Sequence, residues 1–443
     1  MSAAIDQHRP DTIAGTTAPD APDTTAAAHP HGTGFLHQPR AVWEIAFATT
    51  VSFMGIGLVD PILPAISREL NATPGQAMLL FTSYLFITGL AMFGTSWFSG
   101  RFGVRTTLIT GLLLIVLFAG LASVSRDVAQ IINLRAGWGL GNALFISTAL
   151  AAIVAAAHGS TTGEIILFES ALGLGLAIGP LLGGLFGSVS WRAPFAGTAV
   201  LMGIGALGII TLMRERVEAP RVEPTAALRA LRNPALLTLA ASAVCYNFAF
   251  FILLAYSPFP LEAAAEAHGT HITPMGIGGV FFGWGLSVAV TSVLVAPRLT
   301  RTIGLIPTLL CIYGGMAVVL GLLAALHSSM VAIIVLIIVG GLLLGVTNTA
   351  LTEAVMEATD LPGNVASSAY SGVRFIGGSF APAVAGPLAL SAGAFAPYAL
   401  GAASMVAAGV ALLLGHRHLD RLKARPHLDA QSEATAVAYG DRV

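Results

Sequence analysis

"GLAIGPLLGG", residues 175–184, sets four glycines and a proline inside a stretch that otherwise reads as one long apolar helix. Glycine and proline are the residues a helix tolerates least. At a spacing of four, Ala171, Gly175, Gly179, Gly183 and Gly187 fall on one face, and a stripe of small residues lets a neighbouring backbone come close. Pro180 removes one backbone hydrogen bond and favours a bend, which lipid permits when neighbouring helices cover the freed carbonyl. The segment therefore reads as a membrane helix built for close contact, and the stripe is expected to lie against a helix of the other half of the molecule as a seal or pivot.

The rest of the chain agrees. Of its 443 residues, 55% are hydrophobic and 10% charged, and the mean hydropathy is +0.82, outside the range of soluble globular chains. Apolar runs of about 20 residues or more, enough to cross a bilayer, recur near 41–66, 76–98, 104–124, 128–155, 163–188, 193–213, 235–260, 274–297, 305–326, 329–355, 364–390 and 395–416. The expected fold is an all-α membrane protein with twelve transmembrane helices in two six-helix pseudo-repeats. Residues 1–40 read as a disordered cytoplasmic tail, 41–213 as the first bundle, 214–234 as a cytoplasmic linker, 235–416 as the second bundle and 417–443 as a cytoplasmic tail.

Arginine and lysine fix the orientation, because they are retained on the cytoplasmic side of short loops. With the N-terminus inside, sixteen basic residues lie in cytoplasmic segments and three (Arg68, Arg126, Arg192) outside, which places both termini in the cytoplasm. Arg135 and Arg374 fall within helices. A net charge of −1 gives no reason to expect nucleic acid, and no zinc spacing, phosphate-binding loop or nucleophile elbow is present. No cofactor, metal or catalytic residue is called for. Cys245 and Cys311 read as packed thiols.

A shift of about 200 residues brings the halves into register. "FSGRFGV" (98–104) falls on "LTRTIGL" (299–305), pairing Gly103 with Gly304, and "GPLLGG" (179–184) falls on "APAVAG" (381–386), pairing Pro180 with Pro382. Two matches with nearly one offset indicate parallel repeats.

On these residues the chain resembles the major facilitator superfamily and, within it, the twelve-span drug:proton antiporters. "GLAIGPLLGG" fits that group's fifth-helix motif, Gly-x-x-x-Gly-Pro-x-x-Gly-Gly, at every defined position. "RAGWGLGNA" (135–143) resembles the fourth-helix motif, and "GIGLVDPILPAI" (55–66) the first-helix motif. The loop motif of the family, Gly-x-Leu-x-Asp-Arg-x-Gly-Arg-Arg, is here "SWFSGRFGVR" (96–105). It keeps Arg101, Gly103 and Arg105 but has Ser96 and Gly100 where glycine and aspartate stand. The resemblance implies that a clasp between the halves near this loop is weaker here or built from other groups.

Charge inside a membrane marks function by default. Asp60 lies near the outer end of the first helix and Arg135 some eight residues below the outer start of the fourth; at about 1.5 Å per residue their depths agree within a few ångström. A pair that opens and closes would load and release a proton, so Asp60 and Arg135, with Glu169 behind them, are the proton-coupling candidates. Arg374 needs a counter-charge, and Glu353 is the nearest acid by depth. A drug-like pocket is mostly apolar and aromatic, and Met54, Phe81, Phe86, Trp138, Asn142, Tyr246, Asn247, Phe251, Trp284 and Asn348 suit it. Gly175, Gly179, Pro180, Gly183 and Gly184 form the packing motif.

The expected function is a secondary transporter of the cell membrane, exporting small amphipathic or lipophilic compounds in exchange for protons by alternating access. Its partners would be the small-molecule substrate, protons and the bilayer, and it would work as a monomer. Export of a natural metabolite such as a sugar, amino acid or siderophore is the alternative within the same fold. The altered loop motif keeps open a transporter-like membrane sensor.

Overall fold

A computed structural model describes residues 40–156, 161–213, 223–359 and 363–419. Twelve long helices follow one another among them: α1 (Arg40–Glu69), α2 (Pro74–Phe102), α3 (Val104–Ser123), α4 (Val128–Ala156), α5 (Thr161–Gly187), α6 (Ala193–Leu212), α7 (Pro234–Ala267), α8 (Pro274–Ile303), α9 (Leu305–Ala325), α10 (Met330–Glu357), α11 (Gly363–Ala392) and α12 (Ala396–Leu414). Among the described residues ten of them, all but α4 and α5, are long and apolar enough to cross a membrane.

Local chemistry sets the ends. Thr73 caps α2 by accepting from the Gln76 amide while the Gln76 side chain accepts from the Thr73 amide, and Pro74 follows at the first helical position. Asn233 before Pro234 and Thr273 before Pro274 cap α7 and α8 with the side chain accepting from backbone amides, without the reciprocal bond. At the other ends, α2 and α8 stop at Gly103 (φ 84°) and Gly304 (φ 88°), an extended positive-φ conformation open essentially to glycine alone and costing other residues on the order of 1–3 kcal/mol. The next helix then begins identically in both places. Thr107 donates its hydroxyl to the Gly103 carbonyl at 2.8 Å, and Thr308 to that of Gly304 at 2.7 Å. Gly103→Ala and Gly304→Ala are each expected to lower the melting temperature of the detergent-purified protein by a few degrees, whereas Gly314→Ala, at a helical site with no neighbour within 4 Å, is expected to leave it unchanged.

Three helices carry internal breaks that an apolar run does not announce. In α1 the backbone passes through a 3-10 turn at Asp60–Ile62, where Pro61 lacks the donor an α-helix needs and Pro64 follows. In α7 a π-helical turn spans Ile252–Tyr256, before Pro258 and Pro260, and in α8 another spans Thr291–Val295, before Pro297. In α5, by contrast, the helix runs through Pro180. The carbonyl of Leu176, which Pro180 cannot serve, faces Gly285 of α8.

Packing follows one scheme twice. In the first six helices α1 packs on α5 and α6, α2 on α4, and α3 on α4 and α6; in the last six α7 packs on α11 and α12, α8 on α10, and α9 on α10 and α12. Each contact has a counterpart six helices on. The major contacts across the two groups, α2 with α11 and α5 with α8, also exchange under that shift. Both depend on small residues: Gly89 of α2 lies against the Gly372 carbonyl and Ile376, and Gly75 against Gly386. At the ends of α1 and α7 that lie away from Arg40, Arg68 and Glu262 form an ion pair across the groups.

Candidate functional site

The stripe of α5 faces a different partner from the one its sequence led us to expect. Gly175, Gly179 and Gly183 lie over the carbonyls of Thr50, Met54 and Leu58, three successive turns of α1, and Gly187 lies over Ile62. This partner belongs to the same group of six, so the stripe is not the contact between halves. That contact uses an adjoining face of the helix, where Gly173 meets Ala289, Ala177 meets Gly285, the Pro180 carbonyl meets Gly278, and Gly184 meets Pro274, Met275 and Gly278 of α8. Helical spacing identified residues sharing a face but not the helix that face meets. Gly57 of α1 packs against the Pro180 ring, so α5 holds α1 on one side and α8 on the other.

Asp60 lies in the α1 break, fully buried, and its 3-10 turn packs against α5 and α8. Neither carboxylate oxygen has a hydrogen-bond partner among the described residues. Arg135 of α4 is also fully buried and within electrostatic range of Asp60. The direct ion pair expected between them is not formed: among the described residues no N···O contact within 4.0 Å joins them. Arg135 is instead held by aromatic faces, with its guanidinium carbon 4.4 Å from the Tyr84 ring centroid, 4.5 Å from that of Trp138 and 6.0 Å from that of Phe81. Cation–π contact of this kind replaces part of the lost hydration. Nε and Nη2 of Arg135 remain without hydrogen bonds among the described residues. Glu169 lies on α5, and its side chain is outside the described residues.

The aromatic candidates fall into two clusters that meet at the Arg135 guanidinium, and the second of them forms a band. Trp138 meets Tyr84 edge-on at 6.3 Å and Phe195 at 6.2 Å. Phe81 of α2 meets Phe251 of α7 at 6.3 Å, Phe251 meets Phe250 at 4.7 Å, and Phe250 meets both Trp284 at 5.7 Å and Tyr246 at 6.3 Å. The Phe81–Phe251 contact carries the band from the first six helices to the last six. Met54 is buried where α1 meets α5, and Asn142 is buried with its Oδ1 accepting from Ser52 at 2.5 Å. Phe86 is 40% exposed and makes none of these ring contacts.

In the last six helices a polar knot forms where α7, α10 and α11 converge. Tyr246 donates to Asn348 Oδ1 at 2.8 Å, Arg374 Nη1 donates to the same oxygen at 3.2 Å, and Asn247 Nδ2 donates to the Arg374 carbonyl at 2.9 Å. Arg374 thus finds an amide, and among the described residues no carboxylate lies within 4.0 Å of it. Glu353, expected as its counter-charge, is half-buried on α10. Tyr84, Ser52 and Tyr370, which complete these clusters, were not singled out in the sequence, since only the contacts of α2 with α4, α1 with α4 and α11 with itself bring them in.

Near the loop motif, Arg101 is exposed, whereas Arg105 donates to the last carbonyls of α6, at Met213 (2.5 Å) and Ile210 (2.8 Å). Ser96, standing where the motif has glycine, shares a 3.0 Å hydrogen bond with Ser368 of α11. An uncharged contact therefore spans the two groups of helices close to the point where the motif's aspartate is missing.

The sequence profile described as Major Facilitator Superfamily matches residues 45–382. The chain belongs to this superfamily. It is 49% identical over 394 residues to the Multidrug efflux protein YfmO of Bacillus subtilis, covering 88% of this chain and 97% of that protein. The Putative multidrug resistance protein MdtD of Cronobacter sakazakii is 22% identical over 245 residues, 55% of this chain and 47% of its own. The crystal structure of the human organic anion transporter MFSD10 (TETRAN) superposes with a TM-score of 0.66 at 17% identity, covering 84% of this chain and 99% of that one. As a superfamily member the protein is a multi-pass membrane transporter of small molecules and not an enzyme. Among the described residues no group of three or more histidine, cysteine, aspartate or glutamate side chains is placed to hold a metal.

Proposed function

We propose that the protein exports small amphipathic or lipophilic compounds across the cell membrane in exchange for inward-moving protons. The observation that carries the reading is Asp60, a carboxyl buried at membrane depth with no hydrogen-bond partner among the described residues and Arg135 within electrostatic range. Such a group is costly to keep and is retained for use. Its affinity for a proton depends on how near Arg135 stands, and a change in the packing of the α1 break alters that separation.

Twelve spans in two six-helix units, 41–213 and 235–416, supply the moving parts. The units rock against each other along α2–α11 and α5–α8, where glycines present smooth backbone surfaces, while the linker 214–234 and both tails stay in the cytoplasm. One chain suffices for the cycle. The name borne by the 49% identical relative supports drug efflux as the physiological class.

The test is dye efflux from energised cells lacking their own pumps, using lipophilic fluorophores that are cationic, neutral and anionic. Export of at least one dye, abolished by an uncoupler, is the expected result. Uncoupler-resistant export would remove the proton from the mechanism, and no export of any dye would replace drug export with metabolite export.

A further inference from the structure

Arg135 and Arg374 differ in what surrounds them. Arg135 is completely enclosed, with an acid within electrostatic range and three aromatic rings about it. Arg374 is only half-buried and has no carboxylate within 4.0 Å among the described residues. One amide oxygen, Asn348 Oδ1, is its side-chain hydrogen-bond acceptor, and Tyr246 shares it. The Arg374 Nε makes no hydrogen bond among the described residues, and the hydroxyl of Tyr370, a 3% exposed residue on the same helix, lies within reach of the Arg374 guanidinium without a well-aligned hydrogen bond. The guanidinium is otherwise flanked by rings, Tyr370 at 5.4 Å and Phe375 at 5.1 Å.

A guanidinium at membrane depth with no carboxylate within 4.0 Å among the described residues is an incomplete site, because its charge and its unused donor both call for an acceptor. Its position is also fixed. Asn247 binds the Arg374 backbone carbonyl, Asn348 orients the fork, and both partners come from helices other than its own. One turn further along α11, Gly378 lies directly against Phe251 and Asn247, with no side chain of its own between them. Phe251 is the residue that continues the aromatic band to Phe81. A charged fork therefore adjoins an apolar, aromatic strip.

We propose that Arg374, with Tyr370 and Asn348, binds an acidic or strongly hydrogen-bond-accepting head group of the transported amphiphile, whose apolar body lies along Phe251 and Phe81 once the two six-helix units part, both rings being closed off from solvent in this structure. The site selects anions over cations. This rests on the export reading above and adds the substrate class to it. Proton handling at Asp60 and head-group binding at Arg374 are then functions of different halves, linked by their relative motion and not by competition for one residue.

Two xanthene dyes of similar shape and opposite charge, fluorescein and rhodamine 6G, test it by equilibrium binding to the full-length protein purified in detergent. Wild type is expected to bind fluorescein more tightly. Arg374→Gln should weaken fluorescein about tenfold or more, the scale of one charge-assisted contact, and leave rhodamine 6G unchanged or tighter. Arg374→Lys should fall between, since it keeps the charge and loses the fork. Size-exclusion profiles and melting temperatures establish that the variants are folded. Should Arg374→Gln misfold, Arg374→Lys and Asn348→Ala carry the same comparison.

Preference of wild type for rhodamine 6G, equal weakening of both dyes by Arg374→Gln, or no binding of either dye would overturn the proposal. Flux in proteoliposomes reads the export function separately. Fluorescein bound through Arg374 but never transported would leave the site standing and sink the export reading.

Discussion

Gly183→Ala is expected to lower the melting temperature of the detergent-purified protein by roughly 3–10 °C and to reduce the folded yield severalfold, the result of forcing one methyl group into a closed helix contact. A Cβ at this position would meet the carbonyl oxygen, carbonyl carbon and Cα of Leu58. All three are backbone atoms, so no rotamer change can make room. The two helices must separate or α1 must shift, and α1 is the helix whose adjoining turn carries Asp60. Gly203→Ala supplies the comparison, since nothing lies within 4 Å of that position; it should be neutral, or stabilising by up to about 1 kcal/mol through helix propensity. If both variants melt alike, the close α1–α5 approach contributes nothing to stability, and the glycines of the motif must be explained by motion alone. If Gly183→Ala folds normally but transports slowly, the stripe acts as a sliding surface. Reduced stability together with reduced transport would show one contact serving both purposes.

How much of this was legible beforehand depends on which interactions are local. The ends of the helices follow from residues within a turn of each other, and the structure places them within a few residues of the apolar runs. Only α7 and α8 run clearly longer, continuing through Pro258, Pro260 and Pro297 by way of π-helical turns. Gly103 and Gly304 were paired on position alone, and their matching φ values and matching threonine hydroxyl contacts give that pairing a structural cause. What was not legible is which surfaces meet. Gly175, Gly179, Gly183 and Gly187 share one face, as their spacing requires, yet two faces of α5 carry small residues at helical spacing, and periodicity alone cannot tell which faces α1 and which faces α8. The partners of the buried arginines were hidden for a related reason. Depth along a helix ranks the acids, whereas Arg135 is enclosed by rings from α2 and its own helix, and Arg374 donates to an amide of α10 while its Nε stays without a partner among the described residues. Aromatic and amide side chains are common in apolar helices, so nothing in the sequence distinguishes those that solvate a cation from those that fill space.

Asp60→Asn is expected to abolish proton-driven transport while leaving the fold intact. The substitution preserves shape, and the oxygens it alters have no hydrogen-bond partner among the described residues, so no contact seen there is broken. What disappears is the ability to exist both as an acid and as a carboxylate. Coupling free energies between sites are commonly about 1–3 kcal/mol, or roughly 5- to 150-fold in the coupled step, and losing the proton site removes the whole of that factor. In proteoliposomes, dye movement driven by a pH gradient should fall to near the level of empty vesicles, while dye-for-dye exchange without a gradient should persist. That split is decisive, because a variant whose helices were merely mispacked would lose both. Arg135 supplies the second half of the argument. Arg135→Lys keeps a cation near Asp60 but replaces a planar group stacked on Tyr84 and Trp138 with a compact ammonium on a flexible stem. If charge alone governs the acid, this variant should retain gradient-driven transport with an altered pH dependence. If the position of the charge governs it, transport should fall as it does in Asp60→Asn, because the ammonium is not held between the rings. Gradient-driven transport that survives Asp60→Asn would exclude Asp60 from coupling and direct attention to Glu169, the remaining candidate on α5.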